Sequence, residues 1–157
     1  MKLMRLMMLA AVVAVAGTAL AQDKPADNRQ VLLEKVRADK KLVVSNNLNL
    51  TEQEAKGFWP VYDAYQKDLQ QINGRLEKTI KAYADAYNKG SVPDETAKRL
   101  LDESLAIEEA EVKLKRAYVP KLEKVLPLPK VARYLQVENK IRALVKNELA
   151  AAIPLVH

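Results

Sequence analysis

Apolar side chains recur along most of this chain at the three- and four-residue spacing that places them on one face of an α-helix. The clearest stripe consists of Phe58, Tyr62, Tyr65, Leu69, Ile72, Leu76, Thr79 and Tyr83. Thr51 and Glu54 form a capping box in front of this stripe, and Gly90 follows it as a stop signal. The pattern predicts a long helix from about Glu52 to Asn88.

Three further helices are predicted, one before this stripe and two after it. The chain shows no alternation of the kind that marks a β-strand. A serine cap followed by proline marks the start of the third helix, because proline suits the first turn. The predicted helices run from Asn28 to the polar segment 45–49, from Ser91 to the Leu-Pro-Leu-Pro segment 126–129, and from Pro129 to Ala151.

Two prolines fall inside the predicted long helices. Pro60 directly follows Phe58 and Trp59, and Gly57 before them allows close packing. Because proline removes a backbone hydrogen bond and clashes with the preceding turn, we expect kinks at Pro60 and Pro120. The expected fold is all-α: an elongated four-helix protein built on a long antiparallel helical hairpin. Such a shape has a small core relative to its surface area. This favours a homodimer, in which part of that surface is buried.

The first 21 residues have the composition of a cleavable signal peptide. Lys2 and Arg5 precede a short apolar stretch, and alanines stand at a small-residue cleavage site. The apolar stretch is too short for a confident membrane span. We therefore expect removal of residues 1–21 and a single helical domain, residues 22–157, in the periplasm, with no transmembrane span after cleavage.

The sequence lacks the residues that several kinds of catalytic and metal-binding site require. The 157 residues contain no Cys, and the single His is the terminal His157. These counts exclude Cys/His metal sites and the usual Ser-His or Cys-His nucleophiles. We interpret Glu108, Glu109 and Glu111 as a solvated acidic face, because no pocket or partner for acid–base work is evident. We expect no enzyme, no metal and no cofactor.

Charge is separated along the third helix. Segment 94–111 holds seven acids against two bases, and segment 113–133 holds seven bases against one acid. This order suits the helix dipole, and it would also let two copies pair antiparallel across a twofold axis. Interspersed acids argue against nucleic-acid binding. The local basic cluster is compatible with a peripheral contact to an anionic membrane surface.

Tyrosine is the commonest aromatic residue, with six Tyr against one Phe and one Trp. The tyrosines fall mostly on the apolar faces, which indicates either a core with polar edges or an amphipathic surface that binds protein. Trp59, beside Pro60, is either a packing anchor or a contact residue. The candidate protein-binding residues are Phe58, Trp59, Tyr62, Tyr65, Leu105, Val112, Lys113, Lys115 and Arg116.

Segment 48–54, Leu-Asn-Leu-Thr-Glu-Gln-Glu, resembles the Leu-Thr-x-x-Gln motif of the Spy/CpxP group of periplasmic stress proteins, although Glu54 replaces the motif's Gln. Segment 126–130, at the second motif, lacks Thr and Gln. The signal peptide, the absence of Cys and the long hairpin are similar to that group as well. The resemblance implies an antiparallel helical dimer that holds unfolding proteins without ATP.

The chain also resembles a set of uncharacterised secreted bacterial proteins over nearly all of its mature length. The shared motifs bring no established activity with them. They are Phe-Trp-Pro-x-Tyr-x-x-Tyr at 58–65, Lys-Val-Leu-Pro at 124–127, Ala-Arg-Tyr-x-Gln-x-Glu-Asn-Lys at 132–140 and Glu-Leu-Ala-x-x-Ile-Pro-Leu at 148–155.

The function expected from these features is an ATP-independent, chaperone-like or envelope-stress binding protein. It would capture apolar segments of unfolded or partner envelope proteins on a helical surface. The alternative is a periplasmic adaptor or sensory subunit that binds one specific envelope partner. A metal sensor of similar fold is a third possibility, weakened by the missing histidines.

Overall fold

The structure, a computed structural model, describes residues 38–156. Within this range the chain forms four helices and no strand, which confirms the predicted elongated, all-α fold. The helices are α1 (38–48), α2 (Glu52–Tyr87), α3 (Asp94–Glu123) and α4 (Leu128–Ala152). α2 has 36 residues and is therefore about 54 Å long. The predicted signal peptide and the predicted start of the first helix lie outside the described residues.

The bounds of α2 match the prediction at both ends. The Thr51 hydroxyl accepts a hydrogen bond from the Glu54 backbone N–H at 3.2 Å, and the Glu54 carboxylate accepts one from the Thr51 N–H at 2.7 Å. This capping box satisfies two backbone donors that a helix start leaves without partners. After α2 ends, Gly90 adopts φ +94°, where a side chain would be strained.

The other helices begin or end at residues that differ from the predicted ones. α3 begins at Asp94, and Pro93 rather than Ser91 occupies its N-cap position, without a side-chain hydrogen bond. Asp94 and Glu95 place negative charge in the first turn, which favours a helix start. α1 continues to residue 48 instead of stopping at segment 45–49, and Asn49 ends it with φ +46°.

Neither internal proline ends its helix. Pro60 lies inside α2 and Pro120 inside α3. Both prolines are exposed, as are Lys56 and Arg116 four residues earlier, whose carbonyl groups lose their usual N–H partners. On an exposed side of a helix a missing bond costs less than in a core, since water can replace the absent partner. The kinks expected at the two prolines stay a prediction.

The helices alternate in direction along the bundle. α3 packs against both α2 and α4. α4 runs parallel to α2: the Lys130 ammonium is 2.6 Å from the Glu54 carboxylate near one end, and the Tyr83 hydroxyl donates to the Pro154 carbonyl at 2.9 Å near the other. α1 is antiparallel to α2. No helix among residues 38–156 is long and apolar enough to cross a membrane.

The main core lies where all four helices meet, at the start of α2 and the end of α3. Tyr134 of α4 is fully buried there, together with Phe58 and Tyr65 of α2. The first half of the α2 stripe predicted from the sequence, from Phe58 to Leu69, faces this core. The buried cluster consists of Val44, Leu48, Phe58, Tyr62, Tyr65, Tyr118, Leu122, Leu126, Val131, Tyr134 and Val137.

Gly57 brings the α2 backbone close to the end of α3. A Cβ atom placed on Gly57 would lie 2.9 Å from both Cβ and Cγ1 of Val125, closer than real Cβ contacts allow. Gly74, in the same helix, has open space around it. The two glycines therefore differ in packing, although both are helical.

We expect Gly57→Ala to lower the free energy of unfolding by about 1–2 kcal/mol, because overpacking against Val125 outweighs the gain in helix propensity. Gly74→Ala is the matched control. It should raise the free energy by about 0.5–1 kcal/mol, since only the propensity gain applies there. Urea unfolding, monitored by circular dichroism, measures the free energy of unfolding of both variants. Equal effects of the two substitutions would contradict the close approach at Val125.

Candidate functional site

The predicted contact residues on α2 lie in the core. Phe58, Tyr62 and Tyr65 are at most 3% exposed. Their rings pack around Tyr134, with centroid distances of 5.1 Å from Phe58 and 5.9 Å from Tyr65. Edge-to-face contacts of this kind add to the gain from burying the rings. In this structure these three side chains offer a partner no surface.

Trp59 has a mixed environment. It is half-buried, and its ring packs against Phe58 at 5.0 Å and against Tyr62 at 5.3 Å. The Lys41 ammonium of α1 lies 4.8 Å from the Trp59 ring centroid, within the range of a cation–π interaction. Trp59 therefore contributes to packing at the edge of the core, beneath α1.

The predicted contact residues on α3 lie mainly on its surface. Leu105 and Val112 are 53% and 51% exposed, and Leu101, which the sequence reasoning did not select, is 60% exposed. At 100° per residue, the three side chains fall within about 40° of one another. Lys113 and Arg116 are exposed beside them. We call these five residues the outer α3 face.

Charge changes sign along the outer α3 face. Leu105 is followed by the exposed acids Glu108 and Glu109, and Val112 is followed by Lys113 and Arg116. Neither of these two bases forms a salt bridge with any residue that the structure describes. Glu108 lies 3.7 Å from the Lys146 ammonium of α4, so the face combines an apolar stripe with two unpaired bases and the exposed acid Glu109.

Lys115 does not belong to the outer α3 face. It is half-buried and lines a cavity of about 20 Å³ between α2, α3 and α4. Glu111 and Arg142 line the same cavity, which is large enough for about one water molecule. The Nε–H of Arg142 is buried and has no hydrogen-bond partner among the residues that the structure describes.

The expectation that Glu111 belongs to a solvated acidic face is wrong. Glu111 is 6% exposed and forms an ion pair with Arg142 of α4, while the Lys146 ammonium lies 3.6 Å away. These bases compensate the cost of burying the carboxylate. The helical spacing could have predicted the burial of Glu111. Ile107 lies one turn before it and Tyr118 two turns after it, on the same inward face of α3.

A second buried acid, Glu138, was not identified from the sequence. It is 4% exposed, and its carboxylate accepts hydrogen bonds from the Lys40 ammonium and the Gln66 amide, both at 2.8 Å. Glu138 comes four residues after Tyr134 and three before Ile141, so the inward stripe of α4 places it inside. Glu111 and Glu138 thus join all four helices by buried polar contacts.

Comparisons with protein-family models, with curated proteins and with solved structures give no significant match to this chain. Among residues 38–156, no group of three or more His, Cys, Asp or Glu side chains is placed to hold a metal ion.

The buried ion pairs predict a large difference between two substitutions. Arg142→Met should lower the free energy of unfolding by about 3 kcal/mol, because it leaves the buried Glu111 carboxylate with only the half-exposed Lys146, whose ammonium is 3.6 Å away. Lys98→Ala breaks the exposed Lys98–Asp102 pair and should change the free energy by less than about 0.5 kcal/mol. Urea unfolding at pH 7 compares them, and similar values for both would refute a structural role of the buried pair.

The buried tyrosines predict a loss of stability at alkaline pH. Burial, with a smaller effect of the Glu138 charge, raises the pKa of Tyr62, Tyr65 and Tyr134 above the ordinary value of 10.0. Above pH 10 the unfolded chain loses protons that the folded chain keeps. The free energy of unfolding should then fall by up to about 1.4 kcal/mol per pH unit for each such tyrosine.

Urea unfolding between pH 9 and pH 11.5 measures this slope. Burial also raises the pKa of Tyr118 and Tyr83, so Tyr134→Phe removes one of several such groups and should make the decline shallower. A free energy of unfolding that stays constant to pH 11.5, or a slope that Tyr134→Phe leaves unchanged, would contradict the effect of burial.

Proposed function

We propose that this protein binds apolar segments of unfolded or partner proteins on the outer α3 face, reversibly and without nucleotide. The observation that carries the proposal is the row of Leu101, Leu105 and Val112, each more than half exposed on one face of one helix. Large apolar side chains that are grouped and exposed mark interaction surfaces, whereas isolated ones are ordinary.

The size of this stripe favours weak and reversible capture. Full burial of one Leu or Val side chain contributes about 1.5–3 kcal/mol, and these side chains are already partly covered. Three of them supply a few kcal/mol before the entropic cost of association. A client would therefore exchange readily, as suits a protein that holds chains without an energy source.

The flanking charges support the same function. Lys113 and Arg116 can attract acidic stretches of a client, and Glu109 can attract basic ones, which accelerates encounter without fixing a sequence. The proposed contact set is therefore Leu101, Leu105, Val112, Lys113 and Arg116. It omits Phe58, Tyr62 and Tyr65, which are buried, and Lys115, which lines the internal cavity.

The setting we propose is the bacterial periplasm, after removal of residues 1–21. The composition of the N-terminal segment and the resemblance to the Spy/CpxP group support this location and the chaperone-like role. The alternative function, an adaptor for one specific envelope protein, would use the same apolar stripe for a single stable partner.

An aggregation assay tests the proposal. The purified protein is mixed with a thermally unfolding client, without nucleotide, and light scattering is recorded. We expect suppression at several-fold excess, and we expect a variant with Leu101→Ser, Leu105→Ser and Val112→Ser to need at least fivefold more protein. The matched control carries Leu128→Ser, Leu144→Ser and Leu155→Ser, which removes leucines elsewhere that are at least as exposed.

The outcomes separate the alternatives. Absence of suppression by the unsubstituted protein would rule out the chaperone-like function, and equal losses in both triple variants would exclude the outer α3 face as the capture site. A stoichiometric complex with one envelope protein, without general suppression, would favour the adaptor. A third use of this face would be homodimer formation. Light scattering of the protein alone measures its mass, and in that case the variant with Leu101→Ser, Leu105→Ser and Val112→Ser should be a monomer.

A further inference from the structure

The apolar stripe of the outer α3 face continues toward the end of α3. α3 packs against α2 and α4 with the side that buries Ile107 and Tyr118. On the opposite side Leu105 and Val112 are more than half exposed, and half-buried Val119 follows at the same seven-residue spacing. At 100° per residue these three side chains fall within about 40° of one another. The stripe therefore spans two heptads, which suits packing against a second helix.

The charges beside this stripe change sign at Val112. Glu109 precedes Val112, Lys113 and Arg116 follow it, and all three charged side chains are exposed. At 100° per residue they project on one flank of the stripe, about 40–100° from Val112. None of the three takes part in a salt bridge among the residues that the structure describes. They are therefore available to a second chain.

The apolar stripe is complementary to itself when two copies of α3 lie antiparallel. A twofold axis level with Val112 brings this side chain against Val112 of the other copy. Leu105 and Val119 lie seven residues to either side of the axis, so Leu105 of each copy comes level with Val119 of the other. The contact would then continue over more than three helical turns.

The charges are complementary in the same arrangement. A twofold axis of this kind brings the same flank of both helices together, as in antiparallel coiled coils. Glu109 of each copy then comes level with the segment that holds Lys113 and Arg116 of the other copy. A parallel pair would bring acids level with acids and bases level with bases, which is unfavourable. The charge pattern therefore selects the antiparallel pair.

We propose that two copies of this protein associate antiparallel through the outer α3 face, and that this homodimer is the closed form of the capture surface. Leu105, Val112, Lys113 and Arg116 face the second copy in the dimer, so a client competes with self-association by mass action. Exposed ion pairs stabilise only weakly, so the dimer exchanges with open monomers. This regulation rests on the function proposed above, whereas the association itself does not.

Charge reversal tests the association. Glu109→Lys makes the three flanking charges all positive, and Lys113→Glu with Arg116→Glu makes them all negative. Sedimentation equilibrium at low salt should show a dissociation constant at least tenfold higher for each variant alone, because like charges then meet. An equimolar mixture of the two variants should associate again, and so should a chain that carries all three substitutions.

The side chains that are reversed are exposed, so circular dichroism should show unchanged helicity. An unsubstituted protein that stays monomeric at every concentration reached would overturn the proposal. Single reversals that leave the dissociation constant unchanged, or a mixture that does not associate, would also overturn it. These results do not depend on any client.

A disulfide provides a second test, since the chain has no Cys. Axes of packed helices lie about 8–10 Å apart and Cα atoms about 2.3 Å from each axis, so facing Cα atoms come within about 3.4–5.4 Å, which overlaps the disulfide range. Val112→Cys should therefore give a linked dimer with oxidised glutathione. The control Leu144→Cys, on α4 and at least as exposed, should give at least fivefold less. Equal yields from both variants would contradict the proposed axis.

The linked Val112→Cys dimer tests the closure of the capture surface. In the aggregation assay it should need at least fivefold more protein than the same variant in its reduced form, and added reductant should restore suppression. Equal suppression by the two forms would overturn the regulation. Absence of suppression by the unsubstituted protein would refute the regulation together with the proposed function, while the charge reversals alone decide whether the dimer forms.

Discussion

The packing of aromatic rings around Tyr134 is the interaction on which the bundle depends. Tyr134 of α4 meets Phe58, Tyr62 and Tyr65 of α2, and Tyr65 in turn meets Tyr118 of α3 at 5.3 Å. Because tyrosine carries a hydroxyl, however, this core must also provide polar partners, and Gln66 donates to the Tyr134 oxygen at 3.3 Å.

The polar partner of Tyr134 also contacts the buried charges. Gln66 connects Tyr134 to Glu138, and Glu138 holds Lys40 of α1. Glu111 and Arg142 join α3 to α4 beside the same rings. Buried pairs of this kind add little net stability but are costly to break, so they favour one register of the helices over its neighbours.

The outer α3 face and the surface beneath α1 differ in physical character. The outer α3 face is exposed in the protomer and flanked by both signs of charge, which suits brief contacts with many sequences. The surface beneath α1 is covered within the bundle itself: Val44 and Leu48 are 0% and 1% exposed, and Gln66 and Glu138 bind Lys40.

The amino-acid sequence by itself determined the helices and the bounds of α2, because helical periodicity, the Thr51–Glu54 capping box and Gly90 act within a few residues. It also marked Leu105 and Val112 on α3. Only the tertiary structure decided which of the apolar stripes are covered by another helix. Burial depends on where the other helices pack, so Phe58, Tyr62 and Tyr65 entered the core although their pattern allowed a surface. Glu111 is buried for the same reason: its partner Arg142 is distant in sequence, and only the antiparallel packing of α3 and α4 brings the two charges together.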